Sequence, residues 1–157
     1  LHVNPKAIDE VVPYVDLFIA DIKQMDSDLH KKFTGVGNEL ILSNIKRIVG
    51  MGKPIIIRTP VIPGFNDDTE NIDKISDFIL NELNNKPVQI QLLKYRPLGE
   101  EKAKTLDLPL QMKAMIVEDR EGFELRIRGY AKRMNDRGIP AIAGSREKKP
   151  NIDTNKS

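Results

Sequence analysis

The sequence predicts an α/β fold built on a parallel sheet, and three observations predict it. Short apolar or β-branched runs at 15–21, 54–57 and 88–93 read as strands. The segments between them, near 39–50 and 69–83, repeat apolar residues at helical spacing. Strand, helix and strand follow each other at lengths that suit right-handed crossovers between parallel neighbours.

Taken in order, Asn4-Pro5 is predicted to open a first helix as cap and first residue, with Ile8, Val11 and Val12 as its apolar stripe and Pro13 as its stop. The run 15–21 suits a strand buried on both faces of the sheet. Met25 to Phe33 has acids early and lysines late, consistent with a short helix aligned with its dipole. Thr34-Gly35-Val36-Gly37 is a loop, and with no strand before it the Gly-x-Gly does not make a phosphate cradle. Asn38 is placed to cap the helix 39–50, whose core face is Leu40, Ile41, Ile45, Ile48 and Val49, with Gly50 and Gly52 at its end.

The second strand leads to Arg58, after which 59–67 reads as a loop stiffened by Pro60 and Pro63. Asp67 with Glu70 has the character of a capping box for the helix 69–83, with Ile72, Ile75, Phe78, Ile79 and Leu83 inward. Asn84-Asn85 turns the chain into the third strand. After Tyr95 a polar stretch, 96–110, precedes a long helix, about 111–137, with possible breaks at Gly122 or Gly129. Residues 139–143 form a last short strand. Residues 1–144 are thus expected to fold, and 145–157, charged and without periodicity, to form a mobile tail.

Composition excludes several classes. The 157 residues hold 25 basic and 23 acidic side chains, and no basic face argues for nucleic acid. No apolar run reaches the roughly 18 residues of a membrane span, and there is no signal-peptide pattern. Absence of cysteine excludes disulfides and thiolate-held zinc or iron–sulfur clusters on these residues, and is compatible with a cytoplasmic protein. The chain begins with Leu1 and runs directly into a helix, so it is expected to start in the middle of an α/β domain.

The candidate site lies where strands end. Asp21 and Lys23 are two residues apart and project to one side. Arg58 closes the second strand, and Lys94, Tyr95 and Arg96 the third. Strand ends on one side of a parallel sheet are where such folds bind ligands. One acid among several bases suits an anionic or zwitterionic ligand, Arg58 being able to take a carboxylate bidentately. Each could equally be an ion pair or a solvated loop residue. His2 and His30 are expected to face solvent, and no acid or histidine stands near them at metal-ligand spacing. No nucleophilic triad or other catalytic group is evident, so the catalytic and metal sets are both empty.

At this point the residues resemble a known family. Asp16-Leu17-Phe18-Ile19-Ala20-Asp21-Ile22-Lys23 resembles the D-x-K strand of radical S-adenosylmethionine enzymes that activate glycyl-radical enzymes, the pyruvate formate-lyase activating enzyme family. His30, Thr34-Gly35-Val36, Asn38, Ile41-Leu42 are similar to its H-x-x-x-T-G-V-x-N-x-x-I-L stretch. Arg58-Thr59-Pro60-Val61-Ile62-Pro63-Gly64-Phe65-Asn66-Asp67 resembles its R-x-x-x-(V/I)-P-G-x-(N/S)-D segment. Leu92-Leu93-Lys94-Tyr95-Arg96-Pro97-Leu98-Gly99-Glu100-Glu101-Lys102 resembles L-L-P-Y-H-x-L-G-x-x-K. The likeness runs from about residue 5 to 142.

The resemblance implies a partial (β/α)6, TIM-like barrel. It implies a 4Fe–4S cluster held by a Cys-x-x-x-Cys-x-x-Cys loop, which cleaves S-adenosylmethionine reductively. The resulting 5′-deoxyadenosyl radical takes a hydrogen from a backbone glycine of the partner enzyme. It implies an electron donor such as flavodoxin or ferredoxin. By position Asp21 and Lys23 match residues lining the S-adenosylmethionine and peptide site, and Arg58 an arginine that contacts that molecule. Arg96 stands where the family shows a histidine, and an arginine stays charged and cannot shuttle a proton. The cysteine loop has no counterpart here, so the chain resembles the C-terminal part of such an enzyme and alone is expected to be inactive. Half a barrel would leave a sheet edge open, so association with itself or with the missing half is expected. Two other readings stay open: a barrel fragment binding a phosphate or carboxylate metabolite without iron chemistry, and a non-catalytic partner-binding half-barrel.

Overall fold

A computed structural model of the chain describes residues 1–95 and 119–145. Its elements are α1 (Pro5–Val11), a 3₁₀ turn at Val12–Tyr14, β1 (Phe18–Asp21), α2 (Ser27–Thr34), α3 (Glu39–Gly50), β2 (Ile55–Val61), α4 (Thr69–Asp77), a π turn at Phe78–Glu82, β3 (Gln89–Lys94), α5 (Arg120–Asp136) and β4 (Ala141–Ala143). As expected, Asn4 caps α1, its side chain accepting from Lys6 N at 3.0 Å.

The strands form one sheet, all neighbours parallel, in the order β1-β2-β3-β4. Parallel register sets Asp21 beside Arg58 and Arg58 beside Gln91. Alternation then divides the sheet. One face carries Phe18, Ala20, Ile55, Ile57, Ile90 and Leu92, which pack with Ile45 and Ile48 of α3, Ile72 and Ile75 of α4, and Phe123 and Ile127 of α5 into a single core. The other face carries Ile19, Asp21, Ile56, Arg58, Pro60 and Gln89, all at least partly exposed, and toward β4 the buried Gln91 and Ile142. Helices on one side and a half-open strand face on the other make the wall of a partial TIM-like barrel.

Several local expectations are corrected. β1 is not buried on both faces: it is an edge strand, and Ile19 on its open side keeps 51% of its surface exposed. β2 does not stop at Arg58 but continues through Pro60 to Val61. Val88 N donates to Ile55 O and Tyr95 N to Val61 O, so odd residues of β2 bond β3. Phe18 N donates to Pro54 O and Ile22 N to Arg58 O, so even residues face β1. Pro60 lies past Arg58, the last residue of β2 paired with β1, and has no N–H with which to continue that ladder.

The cap of α4 is Asp68, accepting from Asn71 N at 2.7 Å, and not Asp67. Asn84 and Asn85 turn with φ of 51° and 52°, the left-handed region that asparagine tolerates best after glycine. α5 passes Gly122 and Gly129 without a break, capped by Asp119 and held by a buried stripe of Phe123, Ile127, Ala131 and Met134. The expected helical residues 111–118, the polar stretch 96–110 and all but Ser145 of the expected tail lie outside the described residues. No described helix is long and apolar enough to cross a membrane.

Candidate functional site

β1 delivers Asp21 at its last residue, and β2, which runs three residues further, holds Arg58 alongside it. Arg58 is therefore level with the end of β1 rather than at the end of its own strand. Its Nε lies 3.1 Å from Asp21 Oδ1, with both side chains about a third exposed. This contact uses one of the five guanidinium N–H groups, and the guanidinium has no other partner among the described residues. Lys23 has no carboxylate near its ammonium among the described residues. Asp21, Lys23 and Arg58 line one cleft of about 360 Å³, together with Ile19, Ile41, His30 and Val36. The structure thus brings three of the four sequence-predicted residues together. Arg96, the fourth, lies outside the described residues.

The turn that carries Lys23 is fixed by side-chain amides that sequence reasoning did not single out. Asn66 Nδ2 donates to Lys23 O at 2.6 Å and to Pro60 O at 2.9 Å, while its Oδ1 accepts from Ile62 N. Asn71 Oδ1 accepts from Met25 N, and Gln24 Nε2 reaches Phe65 O. Asn38, expected as a helix cap, makes no capping bond. It is buried instead and donates to the carbonyls of Gln24 and Met25 at 2.8 and 2.9 Å. A buried amide satisfied by backbone on both sides locks a loop without adding charge. The signal was present in the motifs, since Asn38 and Asn66 belong to them, but their task was not.

His30 is a correction as well. Expected to face solvent, it is 3% exposed. Its ring packs over the turn that ends α2, where Nδ1 lies 2.7 Å from Val36 O and 3.0 Å from Thr34 Oγ1. Gly35 makes this turn possible: at φ +85° it caps α2 in the left-handed region, which admits glycine without strain. The Thr-Gly-Val run is a helix terminus and not a phosphate cradle.

A carboxylate, a guanidinium with spare donors and an unpaired ammonium can together receive a ligand bearing both an amino group and a carboxylate. The acid would take the amino group, and the two bases the carboxylate. Among the described residues no group of histidines and acids could hold a metal.

Comparison with protein-family models finds no match. The chain is 46% identical over 148 residues to the (2S)-3-sulfopropanediol dehydratase activating enzyme of Klebsiella oxytoca, a match covering 94% of this chain and 46% of that protein. It is 37% identical over 113 residues to the pyruvate formate-lyase-activating enzyme of Staphylococcus epidermidis, covering 72% of this chain and 44% of that one. Among solved structures it resembles a domain of pyruvate-formate lyase-activating enzyme from Bacteroides vulgatus, with a TM-score of 0.69 and 30% identity over 90% of this chain and 75% of that one. The chain spans about half the length of these curated relatives.

Proposed function

The chain belongs to the family of glycyl-radical-enzyme activating enzymes, and from that premise we propose that it forms the C-terminal part of a radical S-adenosylmethionine enzyme acting on such a partner in the cytoplasm. The observation that carries the reading is the cleft in which Asp21, Arg58 and the unpaired Lys23 meet at the end of β1.

These residues fit S-adenosylmethionine. Asp21 would hold its α-amino group, and the free N–H groups of Arg58, with the ammonium of Lys23, its carboxylate. The existing Asp21–Arg58 contact keeps both side chains aimed at the cleft beforehand, and a zwitterion exchanges that contact for two of its own. When bound, this molecule supplies the group that takes up the hydrogen of the partner's glycine. The residues do not fit a 4Fe–4S cluster, because the 157 residues contain no cysteine. Its ligands would have to lie elsewhere in the gene product, and no step through it is assigned to this chain.

The partner is a glycyl-radical enzyme of the kind that the relatives' names describe, a lyase or dehydratase, presenting its glycine loop at the open strand face. Flavodoxin or ferredoxin would supply the electron, and Arg96 is proposed as a further contact for the cofactor.

The test begins with the gene. An in-frame Cys-x-x-x-Cys-x-x-Cys upstream of the codon for Leu1 is expected. The full-length product should then bind S-adenosylmethionine, and Arg58→Ala should weaken that binding by about tenfold or more, as expected for a lost charge-assisted contact. A gene without those cysteines, or a full-length product that binds no S-adenosylmethionine, overturns the reading. The cleft would then be a site for a carboxylate or phosphate metabolite.

A further inference from the structure

His30 borders the same cleft, and its hydrogen bonds fix which ring nitrogen carries the hydrogen. Val36 O, 2.7 Å from Nδ1, is a carbonyl that can only accept, so Nδ1 carries a hydrogen. Thr34 Oγ1 has two carbonyl outlets for its own proton, His30 O at 2.8 Å and Val36 O at 3.0 Å. It can therefore accept from the ring as well. A neutral imidazole with its hydrogen on Nδ1 presents a lone pair on Nε2.

That nitrogen has no hydrogen-bond partner among the described residues, although the side chain is almost wholly buried. Nor is it one of the enclosed polar atoms without a partner, which are Asn44 Oδ1, Thr59 Oγ1 and Asp67 Oδ1. Nε2 therefore has an open side, and the ring lines the cleft shared with Asp21, Lys23 and Arg58.

We propose that His30 Nε2 is a binding group of this cleft, accepting a hydrogen bond from a ribose hydroxyl of S-adenosylmethionine. The inference rests on the reading above that this molecule is the ligand. The other polar side chains explain the assignment. Lys23 and Arg58 can only donate, and Asp21, which gives up Arg58 when the ligand binds, is taken by the ligand's amino group. Thr34 is committed to backbone carbonyls, and His2 stands exposed at the start of the chain. A hydroxyl of the ligand therefore finds its enclosed neutral acceptor in His30. The same hydroxyl can accept from a neighbouring donor, as a sugar hydroxyl does in a satisfied site. The turn at Thr34-Gly35-Val36 then has a purpose: it holds the ring in one tautomer, with the lone pair toward the ligand.

The test uses the full-length gene product and two variants chosen to separate the ring's two sides. His30→Asn keeps a donor near Nδ1 for Val36 O and removes the acceptor at Nε2. His30→Gln places an amide oxygen near the Nε2 position. Affinities are measured by equilibrium dialysis with S-adenosylmethionine and with its 2′-deoxy and 3′-deoxy analogues. His30→Asn is expected to weaken S-adenosylmethionine by about five- to tenfold, the size of one hydrogen bond, and His30→Gln by about twofold at most. For the analogue lacking the relevant hydroxyl, His30→Asn should cost nothing further. Long-range ¹H–¹⁵N correlation on the 157-residue chain should show the hydrogen on Nδ1. Equal affinity of the parent and His30→Asn, or a hydrogen found on Nε2 at neutral pH, overturns the proposal. A parent protein that binds no S-adenosylmethionine overturns the reading beneath it as well.

Discussion

Two regions of this molecule hold secondary structure to the sheet by opposite means. Around the turn after β1, the buried amides Gln24, Asn38, Asn66 and Asn71 tie backbone to backbone across loops distant in sequence. Along the outer flank, α5 and the residue that follows it are tied to α4 and the loop before it by Arg126–Asp67, Arg133–Asp73 and Arg137–Asp77, arginines at spacings of seven and four. Amides position the cleft and carry no field, so the charges of Asp21, Lys23 and Arg58 are left to meet a ligand. Ion pairs serve the flank, where water screens those of Arg133 and Arg137. Charge is spared where it must act.

If that contrast holds, the amide region must be far less tolerant of substitution. Asn66→Ala strands Ile62 N–H and the carbonyl of Pro60, and leaves Lys23 O only the longer bond from Asn71 Nδ2 at 3.4 Å. It should cost about 3 kcal/mol in urea unfolding, and a loss under about 1 kcal/mol would break the comparison. Arg126→Ala is the intermediate case. Its partner Asp67 is only 7% exposed and already has one oxygen without a partner, so about 2 kcal/mol should be lost.

Tyr130 sharpens the same point through pH. Burial, then the negative charge of Asp67, pushes its phenol from 10.0 up to about 12. A raised value means that the folded state holds a proton which the unfolded chain has released. Stability should therefore be intact below pH 10 and fall as pH climbs from 10 toward 12, which melts monitored with 295 nm absorbance can follow.

The smallest effect belongs to Arg133→Ala. Its bidentate pair with Asp73 is half in solvent, so about 0.5 kcal/mol should be lost at low salt and less in 1 M sodium chloride. The hydrogen bond from Arg133 holds the Asp73 carboxyl below its ordinary 3.8. A depressed value stabilises the fold above that pH and ceases to as the pH falls below it, so the variant and its parent should converge in acid.

What could be read in advance divides along a physical line. Helix α3 was legible because Ile45, Ile48 and Val49 repeat at a period that a single segment determines by itself, and all three are buried. That Asp21 and Lys23 would line one cleft was legible from their spacing, although Lys23 lies past the last residue of β1. Features that depend on a neighbour were not legible. Pro60 looked like a loop residue, because only the end of β1 beside it makes a proline harmless there. His30 looked solvated amid the polar residues of α2, because nothing local shows that its ring folds under Val36. Asn38 looked like a cap, because its true partners, the carbonyls of Gln24 and Met25, lie across a loop. Sequence patterns expressed the periodicities well and the crossings poorly.

Strand order in the sheet is the same as strand order in the chain. No strand has to insert between two already paired, so each new one adds to the edge made before it. Synthesis from the amino end can therefore build the sheet as it proceeds. β1 and β2 can zip together once Val61 has emerged, while α5 and β4 are still being translated, at ribosomal rates of about 5–20 residues per second. The half of the cleft formed by Asp21 and Arg58 would exist seconds before the last strand is made.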